Sequence, residues 1–467
     1  MKTLLISFRF SSILLILLNS TPTFCQTIAA GNSHCLALCS DGTVRAWGSN
    51  SSGQLGNGTE ESSAIPVTVS NLTEIIAIAS GESHCLALKN DGTVWTWGDN
   101  IEGQLGDGTT TDNSLPAQIQ NFSGVIAIAG GEYHSLALKN DGTVWAWGWN
   151  DSGQFGDGTD TDSNIPKLVS ELSYIDVIAM AAGSEHSVFL RSNGQVLTCG
   201  NNYHGQLGNS TNIDSNLPTQ VGVAFTDVIA VSAYGNNSML LKTNGIVFAW
   251  GDNFFGQLGD GTTIESNFPL QVNQLTNVIA ISAGENRSIA LKSNGNVASW
   301  GTNSNGELGN GTNMSSNFPV DASLITNVVA IAAGENHTVA LKNDGSVYTW
   351  GSNGSGALGN NSSVSSNVPI NVSPICAIAT DIIDYSTSKL FSVFPNPSNG
   401  QFMLTFQGSK RPKHAEVFNL QGQMIYSINN ILELSTLELD FSGFSKGIYF
   451  LKMYDGERFH NEKIVIQ

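Results

Sequence analysis

The sequence predicts an all-β protein, a seven-bladed β-propeller followed by a small C-terminal β-sandwich, and three observations carry that expectation. A Trp-Gly pair, once Cys-Gly, recurs at Trp47, Trp97, Trp147, Cys199, Trp250, Trp300 and Trp350, at intervals of 50 to 52 residues. Each interval holds one hairpin signal: Asp41-Gly42, Asp91-Gly92, Asp141-Gly142, Asn193-Gly194, Asn244-Gly245, Asn294-Gly295 and Asp344-Gly345. Alternating or aromatic segments flank these turns, as in His134-Ser135-Leu136-Ala137-Leu138 and Val144-Trp145-Ala146-Trp147, and no stretch has helical periodicity. About 50 residues with roughly four short strands is the size of a propeller blade. A lone blade exposes both faces, whereas a closed ring buries each against its neighbours.

Within a unit the elements follow in order. Asp-Gly or Asn-Gly between strands predicts a two-residue type I′ turn. Gly-Gln-Leu-Gly (Gly53 to Gly56, with variants Phe155, Glu307 and Ala357) predicts a second reversal. One proline per unit, from Pro66 to Pro369, is expected in a connection or at a strand start, because proline lacks the ladder donor. An alternating segment such as Val125-Ile126-Ala127-Ile128-Ala129 then leads into the next unit.

The N-terminus has Lys2 and Arg9 before the apolar run Ile13 to Leu18 and then reaches Cys25-Gln26. This reads as a secretory signal peptide, residues 1–25, cleaved between Cys25 and Gln26. The run is too short to span about 30 Å of hydrocarbon, so the mature chain is expected to keep no transmembrane segment. Export makes the cysteines relevant. Cys35, Cys39, Cys85, Cys199 and Cys376 are an odd, scattered set, expected to be small buried hydrophobes and not a disulfide framework, with one inter-blade bridge as the minor alternative.

The repeat ends near Ile375. The domain reading is a propeller over 26–379, a linker over 380–389 and a C-terminal module over 390–467, whose short strands and Gly422 and Gly447 turns suit a β-sandwich.

Two resemblances extend this reading. Gly131-Glu132-Tyr133-His134-Ser135-Leu136-Ala137-Leu138, Asp141-Gly142-Thr143-Val144-Trp145-Ala146-Trp147-Gly148 and Gly153-Gln154-Phe155-Gly156 resemble the repeat of the regulator of chromosome condensation family in all seven units. The resemblance implies a seven-bladed propeller. Its nuclear member's nucleotide exchange and chromatin binding do not carry over, because the units leave no room for a large insertion and no basic tail exists. Secreted members of the fold that inhibit β-lactamases are nearer in compartment. The module at the C-terminus, with Phe394-Pro395-Asn396-Pro397, Gly400, Asn419-Leu420-Gln421-Gly422 and Lys463-Ile464-Val465-Ile466, looks like a type A sorting domain of type IX secretion. That implies delivery to the outer cell surface or medium and contact with the secretion machinery through residues 390–467.

The chain holds 19 basic and 38 acidic residues, and residues 26–389 alone hold 10 and 31. That excludes nucleic acid as the expected partner and predicts one that is neutral, basic or cation-bridged, with binding that weakens in salt. No nucleophile elbow, phosphate loop or zinc-protease signature is present, so no catalytic residue, cofactor or metal is expected. His34, His84, His134, His186 and His337 share a repeat position, with Ser238 and Arg287 in the remaining units, and read as hydrogen-bonded blade histidines. Asp160, Asp162, Asn164 and Glu171 have calcium-loop spacing but lack the required glycine. In the loops after Trp-Gly an asparagine recurs while its neighbours vary. Ile101, Trp149, Tyr203, His204, Phe254 and Phe255 form the expected partner-binding arc, with packing between blades as the alternative. The overall expectation is a monomeric, non-catalytic module for an extracellular or surface protein or glycan. The alternative is a secreted enzyme inhibitor like those of β-lactamases.

Overall fold

The computed structural model describes residues 25–372 except 174 and 223, then 375–376, 391–396, 398–406, 413–418, 424–429, 436–454 and 459–466. The expected signal peptide up to residue 24, the expected linker, Pro397 and residues 419–422 of the expected sorting motif lie outside these residues. The chain divides into two compact units, 1–378 and 379–467.

The first unit contains seven four-stranded antiparallel sheets, each a simple meander. In the first blade β1 (Cys25–Ala30) pairs with β2 (His34–Cys39), β2 with β3 (Val44–Gly48) and β3 with β4 (Ser63–Thr68). Counterparts of β1 touch one another around the axis, and β4 is the outer edge. Stacked blades cover both faces of β2, so Leu36, Ala37 and Leu38 are all buried despite pointing to alternate sides.

Blades are tied in sequence by one repeated set of bonds. The indole Nε1 of Trp97 donates to the Gln54 carbonyl of the preceding blade at 2.9 Å. Trp147, Trp250, Trp300 and Trp350 do the same to residues 104, 206, 257 and 307. Trp47 closes the ring on Ala357 at 2.9 Å. In the fourth blade the smaller Cys199 takes this place, with its Sγ 3.3 Å from the Gln154 carbonyl, and Phe155 replaces the usual leucine in the same buried cluster.

Three local expectations are corrected. The hairpins are not type I′: among the turn residues only glycine has positive φ, as at Gly142 (+85°). Gly142 N–H donates to the Lys139 carbonyl and Lys139 N–H to the Thr143 carbonyl, so a type I turn is followed by a left-handed glycine. Asp141 Oδ1 favours this form by accepting from Thr143 N and Oγ1 at 3.0 and 2.6 Å. The prolines lie inside the outer strand, as Pro66 does in β4. They are tolerated because that strand is an edge and its register breaks there, between the Ala46 and Gly48 pairings. Finally, Cys39 and Cys376 are not free hydrophobes but a disulfide, whereas Cys25, Cys35, Cys85 and Cys199 are free and buried. Ring closure brings the two together, which separation along the chain conceals. Cys25 is the first residue of β1, so the expected cleavage point falls within that strand.

The second unit has a three-stranded sheet (Phe391–Phe394, Gln401–Phe406, Thr436–Asp440) and a four-stranded one (Met424–Asn429, His414–Phe418, Gly447–Tyr454, Phe459–Ile466). Strict alternation puts Phe402 and Leu404 into a core with Val417, Phe441, Leu451 and Ile464. Phe394, Pro395 and Asn396 are exposed. Asn396 Oδ1 accepts from Val465 N–H at 2.9 Å, and Ser398 N–H donates to the Val465 carbonyl at 2.9 Å. Gly400 (φ +104°) passes so near the chain that a Cβ would lie 2.6 Å from Ser442 Cα. The motif thus clamps the terminal strand.

Candidate binding face

The turn between the first and second strands of each blade and the loop after Trp-Gly lie at the same end of the blade. Trp149 N–H donates to the Tyr133 carbonyl at 2.9 Å, and the same bond recurs from Ser49, Asp99, Asn201, Asp252, Thr302 and Ser352. One face of the ring therefore carries both sets of segments, inner turns at the axis and larger loops outside them.

On the loops, Tyr203 is 74% exposed and Phe254 75%, while Ile101 is also exposed. Phe255 lies edge-on to Phe254, and His204 edge-on to Tyr203. Trp149 is only half-exposed and packs edge-on against Tyr133 at 6.0 Å. The structure adds a second apolar position that the sequence reading missed. Ile213, Ile264, Met314 and Val364 are 72 to 76% exposed, each lying on the segment whose carbonyl accepts from the loop asparagine. The corresponding residues of the first three units are Glu61, Thr111 and Thr161, so the aliphatic arc is confined to units four to seven.

At the axis the inner turns converge on a cavity of about 120 Å³ lined by Glu82, Glu132, Glu285, Glu335, Tyr234 and Asn32, among others. Acids one per blade, read as scattered surface in the sequence, become neighbours because closure brings the turns together. Burial first, and then repulsion from Glu132 and Glu335, pushes Glu285 up to about 7. Burial also raises Glu132 and Glu335, and Asp99 is pushed up to about 6 by burial and by Asp112.

Tyr234 has a specific origin. Six blades have glycine at its position, and in five of them a Cβ there would meet the following histidine at 2.1 to 2.4 Å. The fifth blade replaces that histidine by Asn237, which pairs with Gly251 as His134 pairs with Gly148. This corrects the assignment of Ser238 to the histidine position. The smaller amide admits a side chain at 234.

The histidines themselves are buried inter-blade links. Nε2 of His84, His134 and His186 meets Ser135, Ser187 and Ser238 Oγ at 2.9, 3.0 and 2.8 Å. His34 meets Cys85 Sγ at 3.1 Å and His337 meets Cys35 Sγ at 3.0 Å. Burial lowers all five, His34 to about 4 and the others to about 3. The calcium-loop residues do not converge: Asp162 caps Asn150 N–H, Asp160 accepts from Asn216, and Asn164 donates to the Gly108 carbonyl.

Basic side chains gather toward one end of the ring, where acids such as Glu74 and Asp227 pair with Lys89 and Lys242. Lys89, Lys139, Arg191, Lys242, Lys292 and Lys342 end their second strands, beside the hairpins. No Lys or Arg occurs between Trp-Gly and the fourth strand in any unit. The inner turns lead into one cation, Arg287, which is buried and donates to the Glu335 and His337 carbonyls.

Known proteins share this architecture. The RCC1-like domain matches residues 11–240 and 177–394, and the secretion system C-terminal sorting domain matches 392–467. The ultraviolet-B receptor UVR8 of Arabidopsis thaliana is 32% identical over 258 residues, 54% of this chain and 58% of that protein. A human RCC1-like G exchanging factor-like protein is 34% identical over 88 residues, 18% of this chain and 19% of its own. The chain thus spans less than two thirds of the length of these relatives. Among solved structures, yeast RCC1 (Prp20) bound to Kap60 superposes with a TM-score of 0.64 at 24% identity, covering 82% of this chain and 88% of that one. Human WBSCR16 gives 0.64 at 24% identity, covering 71% and 94%. With seven blades built on one repeat and a separate C-terminal module after them in the sequence, the chain belongs to the RCC1-like domain family and carries a C-terminal secretion sorting domain.

Proposed function

We propose that this is an exported, non-catalytic binding module whose Trp-Gly loop face docks a protein presenting basic side chains. The observation that carries the reading is the juxtaposition on one face of an acidic axial mouth, free of exposed Lys or Arg, and an arc of exposed apolar side chains. Partly desolvated carboxylates attract cations more strongly than solvated ones, and aromatic and aliphatic anchors supply the contact area of protein interfaces. Ile213, Ile264, Met314 and Val364 favour a protein over a glycan, which would need more polar contacts. The sorting domain supports handling by the secretion machinery, and the signal peptide read from the N-terminal sequence is the proposed entry to that route.

Capture from the cell surface and culture medium with the full chain, compared with a Tyr203→Ser/Phe254→Ser variant, tests the reading. Specific retention of a basic protein by the parent chain, lost in the variant, supports it. Equal retention by both sinks it. If the captured protein is an enzyme whose activity falls in the complex, the role is inhibition.

A further inference from the structure

A break in the seven-fold pattern marks a second site. In six units one side chain caps the loop asparagine: Ser62, Asp112, Asp162, Asp214, Ser315 and Ser365 accept from the backbone N–H of Asn50, Asn100, Asn150, Asn202, Asn303 and Asn353 at 2.6 to 3.2 Å. The fifth unit has Glu265 there. Its carboxylate does not cap Asn253 but crosses to the fourth blade, where Oε2 lies 2.9 Å from His204 Nδ1. His204 is itself an exception, since the other units have Ser52, Glu102, Ser152, Phe255, Asn305 and Ser355 at its place. Two independent departures from the repeat therefore meet at one point.

Asp252 completes the set: one donor atom from each of His204, Asp252 and Glu265 lies within 4.8 Å of the others. Asp252 is oriented by Phe254 N–H at 3.1 Å and Gln257 Nε2 at 2.8 Å, one on each oxygen, and each oxygen keeps a lone pair. One imidazole nitrogen with two carboxylate oxygens is a donor set for zinc-class divalent ions, whose bonds of about 2.1 Å place tetrahedral ligands about 3.4 Å apart. The His204–Glu265 pair is already that close, and the exposed Glu265 chain can draw in the third donor.

We infer that His204, Asp252 and Glu265 form a divalent-metal site of zinc type joining the loops of blades four and five. Its ligands adjoin the exposed Tyr203 and Phe254 in the chain, and the fourth position of the ion is left for water or for a donor from a bound protein. The site does not depend on the docking reading.

Calorimetric titration of the chelator-treated full chain with zinc chloride tests it. The expected result is one equivalent bound, with His204→Ala and Glu265→Asp each weakening affinity by about tenfold or more. Glu265→Asp restores the cap of units two to four, so it keeps the fold, as thermal unfolding of the metal-free variant will verify. Absence of zinc binding, or binding unchanged in both variants and so held elsewhere, overturns the inference.

Discussion

Cys39, at the end of β2 in the first blade, is disulfide-bonded to Cys376, which follows the last strand of the seventh, across 337 residues. Among the described residues no strand is exchanged between the first and last blades, so closure rests on this bond, on the Trp47 to Ala357 and Cys35 to His337 links and on a buried cluster spanning both blades. Cys39→Ser should lower stability by about 2–4 kcal/mol, read as a lower denaturation midpoint under oxidising conditions. An unchanged midpoint would show that packing alone closes the ring. Such a bond persists in the oxidising compartments that export reaches.

The fourth blade lacks the indole, and Phe155 fills the same cluster in its stead. Cys199→Trp should therefore overpack the blade and cost about 1–3 kcal/mol. Adding Phe155→Leu should recover much of that loss, giving a favourable coupling in a double-mutant cycle. Additive effects would mean that the two positions do not share space.

Acid should destabilise the propeller. The five blade histidines titrate at about 3 to 4 when folded, against 6.5 for the free group. Below pH 6.5 the unfolded chain binds more protons, so stability falls as pH drops, by up to about 1.4 kcal/mol per unit for each histidine. Glu285 and Asp99, raised to about 7 and 6, and Glu132 and Glu335, also raised by burial, act oppositely and gain stability on acidification, but these four are outnumbered by the five histidines. Melting temperature should decline from pH 6.5 to 5, and a rise would contradict the buried neutral imidazoles.

Docking of a basic protein should weaken as pH falls through 7, because protonating Glu285 removes negative charge from the mouth. Added salt should weaken it too, by slowing association most. Affinity constant from pH 8 to 6 would place the contact away from the axis.

Period and turn chemistry made the seven blades legible in the sequence, and Tyr203 and Phe254 stood out because Ser51, Ser304 and Gly354 hold their place in other units. The axial acids were not legible, since Glu82, Glu132, Glu285 and Glu335 meet only after closure. The pairing of Cys39 with Cys376 was hidden for the same reason. Asn237 was misassigned by one residue although spacing separates it from Ser238: in the other six units the histidine or arginine stands 13 residues before the Trp-Gly or Cys-Gly pair, and in the fifth that place is Asn237, as strand register also shows. Ile213 and its counterparts passed unnoticed because one aliphatic residue in a polar loop carries no signal until three more line up beside it.

Tyr234 also removes a degeneracy. A mouth with seven identical inner turns would accept an axial group in seven equivalent rotations. Here acids line it from four blades, Asn32 and Ser184 stand in two others, and a phenol wall rises from the fifth. With the aliphatic arc limited to units four to seven, a docked protein meets one rotational setting about the axis, so a nearly symmetric scaffold specifies azimuth as well as place.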